Sequence, residues 1–162
     1  MTDIKNNLMG AIVLGMHDAL VSQTGIIAGL TFSLANRYII IMTAIISAVA
    51  AGLSMAASNY LAQKTSKNNH AVTIGTVTGL AYLCTSFLLI IPFFVAMNIR
   101  AAMTSSFVIA IIIIFTCNMG ICRINRTHFW KHTIEMLLIC AGVSIAAFII
   151  GEMARHFIGV MI

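Results

Sequence analysis

Five long apolar runs, joined by short polar links, restrict what this chain can fold into more than any other feature. Each run exceeds the roughly 20 residues that an α-helix needs to cross about 30 Å of hydrocarbon. Continuous apolar runs do not show the alternation of a β-barrel strand. We therefore predict an all-α integral membrane protein with one domain, residues 1–162, and five transmembrane helices. The predicted helices cover residues 9–35, 38–62, 71–97, 101–122 and 133–158.

The composition supports a membrane protein and argues against two other classes. Hydrophobic residues make up 60% of the chain and charged residues only 8%, whereas about a quarter of a soluble domain is charged. The net charge of +5 does not indicate nucleic-acid binding, because the basic residues stand mostly between the apolar runs. No nucleophile motif or phosphate-binding loop occurs, so we predict no enzyme activity. The predicted partner is the lipid bilayer.

The basic residues also predict the orientation of the chain. Lys and Arg accumulate on the cytoplasmic side of a membrane protein. Six of the nine fall on the N-terminal side of the predicted bundle and three on the opposite side. We therefore expect a multi-pass protein of a bacterial inner membrane, with its N-terminus in the cytoplasm. The two sets are Lys5, Lys64, Lys67, Arg123, Arg126 and Lys131, against Arg37, Arg100 and Arg155.

The first apolar run contains a carboxylate, Asp18. Placing an Asp at the centre of a membrane helix costs about 2.5–3.5 kcal/mol on insertion scales. Residues with that cost mark polar pathways or tightly satisfied buried pairs. Ser22 lies four residues further along the same helical face, so we assign both residues to a candidate transport path.

The second run carries Met55 and Asn59 four residues apart, which places a thioether and an amide on one helical face. With the Asp18 carboxylate they form a mixed, weak ligand set for a divalent transition metal. The alternative is that Met55 fills the core, as methionine often does. A weaker metal candidate is the set His128, His132 and Glu135 at i, i+4 and i+7, for which the alternative is a solvated helix start.

Small residues indicate where helices approach each other. In lipid, helices pack through Gly and Ala because no hydrophobic drive exists between them. These positions fit either packing within the chain or a seam between two copies. Five spans are few to enclose a path alone, which favours a homodimer. The candidate packing glycines are Gly25, Gly29, Gly52, Gly75 and Gly79.

Several stretches resemble the vacuolar iron transporter family. His17-Asp18-Ala19-Leu20-Val21 resembles the Asp-Gly-Leu motif of that family's first helix. The stretch from Gly52 to Leu61, GLSMAASNYL, resembles the second-helix motif Gly-x-Ser-Met-x-x-Gly-Glu-Tyr. Residues 88–93 look like part of the third helix, and residues 135–139 with Gly151 look like the fifth.

The resemblance implies a five-helix protomer, a homodimer and a pore along the dimer interface, lined by the first two helices. It implies movement of Fe²⁺ or Mn²⁺ out of the cytoplasm in exchange for protons, for metal homeostasis, with no permanently bound cofactor. Asp18 would be the pore carboxylate and proton acceptor, and Met55 the soft ligand. Asn59 stands where the family has its pore Glu.

The chain departs from the family pattern beyond Asn59. Ser58 and Ala19 replace motif glycines, and residues 63–70 hold two lysines where vacuolar members carry a Glu-rich metal-collecting segment. The chain thus resembles a short, bacterial-type member without that segment. These departures leave a second hypothesis, a membrane scaffold or partner-binding homologue that has lost transport.

Overall fold

The computed structural model describes residues 2–33, 36–125 and 129–158, and these residues form five α-helices joined by short connections. All five helices are long and apolar enough to cross a membrane. The predicted all-α architecture with five spans is therefore confirmed. The helices are α1 (Thr2–Ser33), α2 (Arg37–Thr65), α3 (Ala71–Val95), α4 (Ile99–Asn125) and α5 (Phe129–Ile158).

The helices differ from the predicted spans mainly at their ends. α1 begins seven residues before the predicted position 9, and α5 begins four residues before the predicted position 133. Hydropathy detects only the part of a helix that lies in hydrocarbon, whereas the backbone hydrogen bonds continue into polar residues at the membrane surface. α3 instead ends earlier, at Val95, because Ala96 adopts an extended conformation.

α3 lies at the centre of the bundle and packs on α1, α2 and α4, while α1 also packs on α5. α2 runs antiparallel to α3, with Gly52 against Leu83 and Gly75 against Tyr60. α1 runs parallel to α5, because Gly25 lies against Val143 and Gly29, one turn further along α1, lies against Ala147, one turn further along α5. Both pairs are the close approaches through small residues that lipid-embedded helices use.

All five glycines named above therefore lie at contacts within one chain. A Cβ at Gly79 would be 2.8 Å from the carbonyl oxygen of Gly52, and a Cβ at Gly29 would be 3.1 Å from that of Ala147. Ala44, Ala48 and Gly52 follow each other at four-residue spacing on one face of α2, and both alanines are buried. The contact between Gly52 and Gly79 limits the distance between α2 and α3, and the contact between Gly29 and Ala147 limits that between α1 and α5.

Polar contacts tie the ends of the helices together. Asn36 caps α2 by accepting a hydrogen bond from the Tyr38 amide, 2.9 Å. The next residue, Arg37, donates to the carbonyl oxygen of Ala96 at 2.9 Å, where the carbonyl dipoles at the end of α3 favour a cation. This contact anchors the start of α2 to the end of α3.

Candidate functional site

Asp18 lies well inside the membrane-spanning part of α1, Asn6–Phe32. Its side chain is exposed on the surface of the single chain. Its carboxylate makes no hydrogen bond or ion pair with the part of the chain that the structure describes. An unpaired carboxylate at this depth requires either a partner from outside the chain or a water-filled path.

One level below Asp18, towards the N-terminus of α1, three helices meet around Thr78 of α3. Gly15 of α1 lies so close that a Cβ there would overlap the carbonyl oxygen of Thr78. From the other side, Asn59 of α2 donates its amide Nδ2–H to Thr78 Oγ1, 2.5 Å. The Cβ added at Gly15 would also be 3.1 Å from the amide nitrogen of Tyr82, so Gly15 lies beside the turn of α3 between Thr78 and Tyr82, whereas Asn59 lies beside Thr78.

One turn further along α3, a second level forms around Tyr82, which is fully buried. Its hydroxyl is hydrogen-bonded to Ser22 Oγ of α1 at 2.6 Å. Its ring lies beside Gly52 of α2, where a Cβ would be 3.5 Å from Tyr82 Cδ1. Ser22, Tyr82 and Gly52 therefore share the next depth.

These two levels bracket the sequence-predicted ligands. Asp18 lies between Gly15 and Ser22 on α1, and Met55 lies between Asn59 and Gly52 on α2. α3 therefore contacts both the segment of α1 that carries Asp18 and the segment of α2 that carries the partly exposed Met55. We call Asp18, Met55 and Asn59 together the polar layer.

The comparison with known protein families finds a match, and it covers this region. The model of the VIT family, the vacuolar iron transporters, matches residues 9–74, which include most of α1, all of α2 and the first residues of α3. Over these residues the chain is similar to the VIT family. All three residues of the polar layer lie inside the matched range. A search of curated proteins found no match.

The five helices that could span a membrane support an integral membrane protein, and the similarity over residues 9–74 is to a family of metal-ion transporters. The polar layer offers the oxygen and sulfur atoms that such an ion could use: a carboxylate, an amide and a thioether. Ser22, by contrast, uses its hydroxyl to bind Tyr82. In this structure Ser22 joins α1 to α3.

Three residues of this site were not predicted from the sequence: Gly15, Thr78 and Tyr82. Gly15 had a detectable signal, because Ala11, Gly15 and Ala19 form a small-residue stripe at i, i+4 and i+8, and all three are buried. Thr78 and Tyr82 had none, since a hydroxyl inside an apolar helix most often bonds its own helix.

The structure describes only part of the weaker metal candidate, the set His128, His132 and Glu135. His128 lies outside the described residues, while His132 and Glu135 are exposed at the start of α5. Within residues 2–33, 36–125 and 129–158, no group of three His, Cys, Asp or Glu side chains is arranged to hold a metal ion. The polar layer differs in kind, since it combines one carboxylate with an amide and a thioether.

Proposed function

We propose that this chain is a VIT-family transporter that carries Mn²⁺ or Fe²⁺ out of the cytoplasm through a path in a homodimer, and that Asp18 is the central ligand. The observation that supports this most strongly is the unpaired Asp18 carboxylate, exposed within a membrane span. A second copy facing the first would enclose this surface. It would also remove Asp18 from contact with lipid.

The charge balance of such a dimer suits one divalent cation. Two copies of Asp18 carry two negative charges, and Asn59 adds oxygen atoms without charge. A bound M²⁺ ion and two carboxylates are neutral together, which lowers the cost of placing them in a low-dielectric layer. The thioether of Met55 favours transition metals over Ca²⁺ or Mg²⁺, which prefer oxygen ligands.

The same charge balance supports an exchange of the metal ion for protons. When the metal ion leaves, two carboxylates would remain close together in an apolar layer, and like charges at short range favour uptake of a proton. Protonated Asp18 would allow the empty path to return without an uncompensated charge. The direction, out of the cytoplasm, is what the resemblance to the vacuolar iron transporter family implies, and the excess of Lys and Arg predicts only that the N-terminal side faces the cytoplasm.

Metal flux into proteoliposomes tests this proposal. We expect purified protein to move Mn²⁺ and Fe²⁺ in response to a pH gradient, and Asp18→Asn to reduce flux at least 100-fold, because Asn cannot carry a proton or neutralise the ion. The matched control is Asp3→Asn, which removes the other carboxylate of α1, outside the span Asn6–Phe32. Equal flux for wild type and Asp18→Asn would contradict the proposal, and no flux from either would favour the scaffold hypothesis.

A further inference from the structure

The hydrogen bonds around Asn59 determine which end of its amide is free. Thr78 has a single hydroxyl proton, and it donates that proton to the carbonyl oxygen of Ile74 in its own helix, 2.9 Å. Thr78 Oγ1 can then only accept a further hydrogen bond. Only the NH₂ group of an amide can supply one, and Asn59 Nδ2 does so at 2.5 Å.

This arrangement leaves the amide oxygen of Asn59 turned away from Thr78. Asn59 Oδ1 accepts no hydrogen bond from the described residues of the chain. If the amide were reversed, its oxygen would face Thr78 Oγ1, and the Thr78 hydroxyl would have to give up its hydrogen bond to Ile74 or leave two acceptor oxygens unpaired against each other. The chemistry of Thr78 thus selects one of the two amide orientations.

We infer that Thr78 is a positioning residue, which holds the Asn59 amide so that its oxygen, and not its nitrogen, is available to a divalent metal ion in the polar layer. The inference rests on the proposed function, since it assigns a role within the same metal path. It also explains how a neutral Asn can act as a metal ligand in place of a carboxylate. Both terminal atoms of a carboxylate are oxygen, so either can face the ion, whereas an amide must be held with its oxygen towards the ion.

The position of Thr78 is itself well determined. The residue is fully buried. Its backbone is fixed by the close approach of Gly15, and its side chain by the bond to Ile74. Groups in the layer around a metal ligand that orient the ligand in this way typically change metal affinity about 10–100-fold when removed.

Equilibrium binding of Mn²⁺ to the purified full-length protein tests the inference. Thr78→Val keeps the shape of the side chain but cannot accept a hydrogen bond, so we expect Mn²⁺ affinity to fall at least tenfold. Thr78→Ser keeps the hydroxyl and should retain nearly wild-type affinity. In an Asn59→Asp background, where both terminal atoms are oxygen, Thr78→Val should cost less than about threefold.

The outcomes separate this inference from the function on which it rests. Wild-type affinity in Thr78→Val, or a loss that is equal in the wild-type and Asn59→Asp backgrounds, overturns the positioning role while leaving metal binding intact. If the wild type binds no Mn²⁺, the proposed function fails and the inference fails with it. Should Thr78→Val not fold, judged by its elution and thermal melt, Thr78→Ala against Thr78→Ser makes the same comparison.

Discussion

At the scale of single residues, the central feature is an acid that has no partner in its own chain. Asp18 makes no hydrogen bond or ion pair with the described residues, although it lies within a span of apolar helix. Two other polar residues of α1 and α2 are already paired with α3: Ser22 with Tyr82, and Asn59 with Thr78. The carboxylate, the thioether and one amide oxygen therefore remain for an ion.

The replacement of the family's pore Glu by Asn59 yields a prediction at this scale. Asn59→Glu adds one negative charge per chain to the polar layer, so we expect Mn²⁺ to bind about tenfold more tightly, through stronger attraction to the added carboxylates. Asn59→Gln is the control, because it has the length of Glu without the charge. Titration of purified protein measures both. A weaker affinity in Asn59→Glu than in Asn59→Gln would contradict this account of the site.

The site residues that were easiest to predict from the sequence are those whose insertion into a membrane costs the most free energy. Asp18 stands out from the sequence because a carboxylate in an apolar run has few structural explanations. Asn59 and Met55 follow from their spacing and from the resemblance to the family motif. Thr78 and Tyr82 could not be predicted, because their roles depend on α3 packing between α1 and α2. The sequence does not show which helices are neighbours.

At the scale of helices, glycines determine how closely α3 approaches its neighbours. Five of them lie in detectable small-residue patterns, but the closest approach in the site involves a sixth, Gly15. The number and type of the helices were predictable from hydropathy alone. Their ends were not, because a helix continues past the membrane surface wherever its backbone hydrogen bonds can be maintained.

Gly15 yields the prediction at this scale. Gly15→Ala places a Cβ on the carbonyl oxygen of Thr78, so α1 and α3 must separate, at a cost of about 1–3 kcal/mol. Gly10→Ala is the matched control on the same helix, since no atom lies within 4 Å of its added Cβ. Thermal unfolding in detergent should show a lower midpoint for Gly15→Ala only. Equal midpoints for the two variants would mean that this contact does not hold the helices together.

At the scale of the whole molecule, α1 and α2 both pack on α3 and carry the residues of the polar layer. The remaining exposed residues of α2, α4 and α5 are largely apolar, as contact with lipid requires. The proposed homodimer brings two polar layers together. The matched family range, residues 9–74, covers most of the two helices that carry these layers.

The most direct test of this account is an anomalous-difference map from crystals soaked in Mn²⁺. We expect one peak on the two-fold axis of a dimer, between the two copies of Asp18, with Met55 sulfur and Asn59 oxygen atoms as further neighbours. The peak should be absent from crystals of Asp18→Asn. A peak that persists in Asp18→Asn, or one found only near His132 and Glu135, would contradict the assignment of the metal path to the polar layer.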